Sequence, residues 1–172
     1  PFQSATVNEF ADDLDLLASF PSFYRYDENL SSSGWVAYTD PAGILAPLSG
    51  YAANFGSDAV PKTIDITGEV NNHNQTISLS NNNRPFTLGF NLVGNPYPSP
   101  IDWDATVGWS RVNVEDAIYF FDASSTDYYG GTYSAYINGI STNGIASNLI
   151  SAMQGFFVHV SDGAYPVAAT LE

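Results

Sequence analysis

The chain repeats itself, and that repetition limits what it can fold into. Pro1-Phe2-Gln3-Ser4 returns as Pro96-Tyr97-Pro98-Ser99, and Phe23-Tyr24-Arg25-Tyr26-Asp27 returns as Ile118-Tyr119-Phe120-Phe121-Asp122, both 95 residues later. Leu45-Ala46-Pro47-Leu48-Ser49-Gly50-Tyr51 returns as Ile150-Ser151-Ala152-Met153-Gln154-Gly155-Phe156 at an offset of 105, as does Pro61 at Pro166. The second copy therefore carries about ten further residues between Asp122 and Ile150. One supersecondary unit used twice in 172 residues predicts a single domain over 1–172 with two like halves, repeat 1 over 1–82 and repeat 2 over 83–172.

The periodicity within each copy is that of strands. Short apolar or alternating runs lie at 22–27, 35–38, 50–55, 63–70 and 76–79, then at 117–122, 132–136, 155–160 and 167–171. The run 86–93 reads as a central strand buried on both faces. Asn138-Gly139 and Asn143-Gly144 are turn signals, because both residue types tolerate positive φ. Residues 7–17 place Val7, Phe10, Leu14 and Leu17 at helical spacing, and 102–109 occupies the matching place in the second copy. The expectation is a mainly β protein: a β-sandwich of two pseudo-symmetric repeats with short helices after the Pro loops. Phe90, Leu92, Tyr119, Phe121, Phe156 and Val158 are the expected core, with Tyr24, Tyr26 and Tyr51 in matching places.

The two copies are unequal at their ends. Pro96 follows the run 86–93, whereas nothing in the chain precedes Pro1. The run 63–70 is followed by 76–79, whereas 167–171 stops at Glu172. One strand at each end is therefore expected from outside: from a longer parent protein, or from a neighbouring chain through open sheet edges.

Charge narrows the partners. Four basic and eighteen acidic residues give a net charge of −14. That field repels nucleic acid and anionic lipid. No segment has the length and apolarity of a membrane span, so no membrane insertion is expected. There is no cysteine, which excludes disulfides and thiolate metal sites. Aromatics at 15% and hydrophobic residues at 44% argue against disorder. The acidic, Asn-rich, nearly Lys-free composition is that of secreted bacterial β-proteins.

Gly94-Asn95-Pro96-Tyr97-Pro98-Ser99, together with Ala117-Ile118-Tyr119-Phe120-Phe121-Asp122, Tyr136-Ile137-Asn138-Gly139 and Gln154-Gly155-Phe156-Phe157-Val158, resembles a module of large Bacteroidota proteins. In those proteins it lies upstream of the C-terminal sorting domain read by the type IX secretion system. The resemblance covers nearly the whole chain and implies a secreted or cell-surface location. It implies no reaction, since such modules accompany adhesins, proteases and polysaccharide-degrading enzymes alike. The sorting domain itself is not in this sequence.

Chemistry is sparse. Asp102 and Asp104 flank Trp103, with Glu115-Asp116 nearby, and a glycosidase needs two such carboxylates. Acids at the start of a helix explain the same residues more simply. His73 and His159 have no metal-ligand spacing, and no nucleophile elbow or phosphate loop occurs. No catalytic residue is assigned. Asp122, Ser124 and Asp127 are candidate calcium ligands, the one cofactor considered; polar turn residues are the plainer reading. Tyr97, Trp103, Trp109, Tyr128 and Tyr129 are candidate sugar platforms, set against a packing role. The expected function is a non-catalytic structural or adhesive module of a larger surface protein. The alternatives are a carbohydrate-binding module and a filament subunit completed by strand donation.

Overall fold

The computed structural model describes residues 2–56, 61–124, 126, 127 and 129–172. It is a mainly β protein of packed antiparallel sheets. The strands are β1 (Phe23–Tyr26), β2 (Trp35–Ala37), β3 (Tyr51–Ala53), β4 (Ile77–Asn81), β5 (Phe90–Gly94), β6 (Ile101–Asp102) and β7 (Arg111–Val112). They continue as β8 (Val114–Ala123), β9 (Gly131–Ile137), β10 (Ile140–Ser141), β11 (Leu149–Ile150), β12 (Gly155–Val160) and β13 (Val167–Leu171). Among the described residues four sheets result, ordered β2-β1-β3, β10-β9-β8-β12-β5, β11-β6 and β4-β13-β7.

The repeat seen in the sequence is a repeat of strand pairing. In the first half β1 lies between β2 and β3; in the second β8 lies between β9 and β12. Tyr24 pairs with Ala52 and Phe23 with Ala53. Tyr119 pairs with Phe157 and Ile118 with Val158. These are the same positions at offsets of 95 and 105. The Pro loops repeat with a slip of one residue: Val7 N–H donates to Gly43 O, and Trp103, 96 residues on, donates its N–H to Asn148 O. Period-two alternation then sends Phe23, Tyr51 and Ala53 to one core, and Ile118, Phe156 and Val158 to the other.

The second core is the larger. Val93, Ile118, Phe120, Phe156, Val158 and Val160 of the five-stranded sheet meet Leu79, Ala169 and Leu171 of β4 and β13. Trp103 and Ile150 close that core from the Pro-loop side. The first core is built on Ala5, Val7, Phe10, Phe23 and Leu45. Glu28 ties the halves. Its buried carboxylate accepts from Asn82 N–H at 3.1 Å and Asn82 Nδ2 at 2.6 Å, and its carbonyl accepts from Thr87 Oγ1 at 2.6 Å.

Several expectations need correction. The helix over 7–17 is one 3-10 turn at Val7–Phe10, in which Glu9 caps Thr6 N–H at 2.9 Å. Residues 102–109 form no helix; Asp102 ends β6, and turns follow. A β-bonded start leaves too few residues there to repay helix nucleation. The run 86–93 is a strand only at Phe90–Gly94. Phe86 and Leu88 are exposed, and Leu88 has φ +48°. Residues 63–70 form no strand; within that run only Val70 is in a bridge, to Phe2. Phe121 is 51% exposed, not core, because alternation along β8 gives its neighbour Phe120 to the core. Phe90, Leu92, Tyr119, Tyr24, Tyr26 and Tyr51 are half-buried.

Candidate aromatic binding groove

Each β1-type strand carries aromatics on both faces, and one face is left over after the cores are filled. Tyr24 and Tyr26 point away from the first core. Tyr119 and Phe121 point away from the second. These leftover faces meet. Tyr26 packs edge-on against Phe157 at 5.1 Å, and Trp35 does so at 6.0 Å. Tyr133 reaches the same Phe157 at 5.8 Å. Tyr26 and Trp35 are 5.1 Å apart, also edge-on. Edge-to-face geometry matches the positive rim of one ring to the negative face of the next.

The seam opens at both ends. A cavity of about 390 Å³ is lined by Tyr26, Trp35, Phe86, Phe90, Tyr119 and Tyr133, among others. A wider cleft of about 1190 Å³ is lined by Phe20, Tyr24, Trp35, Phe121, Asp127 and Tyr129, among others. Trp35 stands in both. Phe20 meets Tyr129 edge-on at 5.4 Å across the wider cleft. Three of the phenols, Tyr26, Tyr119 and Tyr133, are held protonated to higher pH than usual. Burial, aided by nearby Tyr133 and Glu28, pushes Tyr26 up to about 12. Burial also raises Tyr133 and Tyr119. The groove thus offers apolar ring faces and phenol hydroxyl groups, with Asp127 on the wall of the wider cleft.

The sugar residues expected from the sequence are not gathered together. Trp103 is fully buried, against Trp109 at 4.9 Å and Phe156 at 5.9 Å, and its Nε1 donates to Asp116 O. A ring enclosed in this way cannot stack on a sugar, so Trp103 is a core residue. Trp109 is half-buried on Trp103, with Nε1 donating to Asp102 O at 2.7 Å. Tyr97 is half-buried and donates its hydroxyl to His73 O at 3.0 Å. Tyr129 does line the wider cleft. Tyr128 lies outside the described residues.

The expected calcium loop spends its oxygens on itself. Ser124 Oγ accepts from Thr126 N–H at 3.1 Å and Asp127 N–H at 3.0 Å. Asp127 accepts from Tyr129 N–H at 3.2 Å. Asp122 sits exposed in β8, opposite Thr132. Among the described residues no three His, Asp or Glu side chains gather as a metal site. The paired carboxylates are also engaged. Asp102 accepts from Asn148 Nδ2 at 2.7 Å, and Asp104 accepts from the Tyr136 hydroxyl. Glu115 meets His159 Nδ1 at 3.0 Å, and Asp116 meets Arg111 at 2.6 Å.

The groove residues Phe20, Tyr24, Trp35, Phe121 and Tyr133 did not stand out as a site in the sequence. Their signal was available: Phe23-Tyr24-Arg25-Tyr26 and Tyr119-Phe120-Phe121 put aromatics on both faces of a strand, and one core uses only one face. The fold thus defines a sandwich domain with an aromatic groove between two like sheets. The chain belongs to a family described as a domain of unknown function (DUF8693), whose model matches residues 1–171. No curated protein and no solved structure matches it.

Proposed function

We propose that this domain is a non-catalytic structural or adhesive module of a larger secreted or cell-surface bacterial protein, and that it holds its partner in the aromatic groove. The observation that carries this reading is the pair of openings on either side of Trp35, both lined with rings. Exposed aromatics gain binding energy with little loss of side-chain freedom. The net charge of −14 keeps the surface soluble and selects against polyanionic partners. The sequence resemblance to modules of exported Bacteroidota proteins supports the surface location and the type IX route. Labelling native cells with an antibody to the domain tests that part: surface labelling supports it, and recovery only from the cytoplasmic fraction contradicts it.

A second reading is favoured by the wider cleft. Tyr24, Trp35 and Tyr129 there supply ring faces, and Asp127 supplies an acceptor for hydroxyl groups. That is the chemistry of a carbohydrate-binding module. Affinity electrophoresis through a panel of polysaccharides separates the two readings. Retardation by at least one polysaccharide, lost in Trp35→Ala, supports sugar binding. Free migration through all of them leaves a protein partner.

A further inference from the structure

The two halves follow one plan, but among the described residues the second core has two strands that the first lacks. In the second half β12 has two neighbours, β8 and β5; its counterpart β3 has one strand partner, β1, among the described residues, although Ser49 and Gly50 just ahead of it are bonded to β5. Strand β5 brings Val93 opposite Phe156, and β4 brings Leu79 opposite Ala169. Both side chains are buried in the second core. The residues they cover are sealed: Phe156, Val158, Val160, Ala169 and Leu171 are all at most 4% exposed.

The counterparts in the first half are Tyr51, Ala53, Phe55, Ile64 and Ile66, at the same offset of 105. All five are only half-buried against their core. Ile64 and Ile66 alternate with polar residues as a strand would, yet they form no ladder. Over them lies an apolar groove of about 330 Å³, lined by Phe10, Phe23, Leu45, Tyr51, Ile64 and Ile66, among others. It lies where the pairing of the second half places Val93 and Leu79.

We infer that this groove is a docking site for a β-hairpin of the β4–β5 kind, carried by another unit of the same repeat. The inference rests on the reading of the domain as a structural module and names the partner segment. The incoming strand adds to the edge of β3 beyond Gly50, whose N–H already donates to Leu92 O at 3.2 Å. Its register follows from the second half, where Phe156 pairs with Val93 and Phe157 with Leu92; the Gly155–Gly94 pair has no counterpart, because Gly50 is bonded to the chain's own β5. The donor residue at the place of Val93 thus lies opposite Tyr51, and that at the place of Leu92 lies opposite Ala52. The donor residue at the place of Leu79 lies opposite Ile64. The hairpin turns Ile64 and Ile66 into a paired strand, as Ala169 and Leu171 are paired in β13. A small or charged side chain at either donor position leaves the groove unfilled.

The absence of cysteine in the chain makes the register testable. A synthetic peptide of residues 72–95, carrying Leu92→Cys, is mixed with the full chain carrying Ala52→Cys under mild oxidation. The expected result is a disulfide-linked product at least about tenfold above that of a peptide carrying Val93→Cys, whose side chain points to the other face. In a second measurement residues 72–95 are fused ahead of Pro1, since Asn95 leads into Pro96, the counterpart of Pro1. The fusion should raise Tm by about 5 °C or more over a fusion with Leu79→Asp and Val93→Asp in the added segment only. Equal cross-linking of both peptides, together with equal Tm for the two fusions, overturns the inference. Surface labelling of cells is independent of either result, so it still judges the proposed function by itself.

Discussion

The two halves differ less in their strands than in what covers them. Phe23 and Ile118 occupy equivalent positions in β1 and β8, and both are buried. One pairing over, the halves diverge: Phe156 is 1% exposed, while Tyr51 is half-buried beside an apolar groove. The sequence differs in the same sense. Where the second half has Phe, Val and Val at 156, 158 and 160, the first has Tyr, Ala and Phe at 51, 53 and 55. The Tyr51 hydroxyl reaches Ala46 N–H at 2.9 Å as acceptor, so even its polar end is used to shape the groove wall. A repeated unit thus has two roles, according to whether the β4–β5 hairpin lies over it.

The largest test of that contrast is a pair of truncations. Phe156→Ala removes a sealed ring, and the loss of stability in chemical denaturation should be about 3–5 kcal/mol. Tyr51→Ala removes its half-buried counterpart, and the loss should be about 1–2 kcal/mol, because less area returns to water and the cavity already exists. Equal losses would mean that the first core is as complete as the second.

A smaller effect is expected at Asn81, which belongs to the hairpin cover. Its Nδ2 donates to Val160 O at 3.0 Å, and its Oδ1 accepts from Asn83 N–H at 3.0 Å. Asn81→Ala should cost about 1–3 kcal/mol, since it strands a buried carbonyl. A loss within about 0.5 kcal/mol of zero would show that the strand ladder alone fixes β4.

Alkali should act on both halves through their phenols. Tyr136 is pushed up to about 12 by its hydrogen bond to Asp104, with burial second. Tyr26 is pushed up to about 12 by burial. The folded state holds these protons more tightly than the unfolded chain, whose phenols titrate near 10.0. Their contribution to stability is therefore fully present below pH 10.0 and is lost as pH rises toward about 12. Denaturation midpoints across that window should fall, and Tyr136→Phe should flatten part of the fall. A midpoint independent of pH there would contradict the burial of Tyr26 and the Tyr136–Asp104 bond together.

The least effect is expected on the surface of the second half. Arg111 lies 4.5 Å from the centre of the Trp103 ring and 2.6 Å from Asp116. Both partners of the ion pair keep solvent contact, so Arg111→Ala should cost about 1 kcal/mol or less. A loss above about 2 kcal/mol would give this cation a share in holding the core closed.

Much of this contrast was legible in the residues. The offsets of 95 and 105 carried the strand register itself, because Tyr24 with Ala52 and Tyr119 with Phe157 pair as the repeats predict. The Asn138-Gly139 signal became the β9–β10 turn, with φ of +49° and +84°. Where alternation was read one face at a time, the reading failed. Phe121 was expected in the core with its neighbours on an aromatic strand, and Trp103, near the Pro loop with Tyr97 and Trp109, was weighed as a platform against a packing role; it packs. Only the three-dimensional neighbours decide which face of a half-apolar strand is left over. Residues 63–70 show the same limit. Their alternation is that of a strand, but a strand needs a partner, and propensity cannot supply one. The aromatic groove was half legible for a related reason: aromatics on both faces of β1 and β8 signalled a leftover face, but which faces meet is decided between sheets far apart in sequence.

Native-state hydrogen exchange tests the central claim most directly, because it reads each half in the same molecule. The amides of β8 and β12 should exchange only by global unfolding. Those of β1 and β3 should exchange at least about tenfold faster, through an opening of the uncovered first half. Equal protection in the two sets of strands would contradict the account and make the halves one uniformly sealed core.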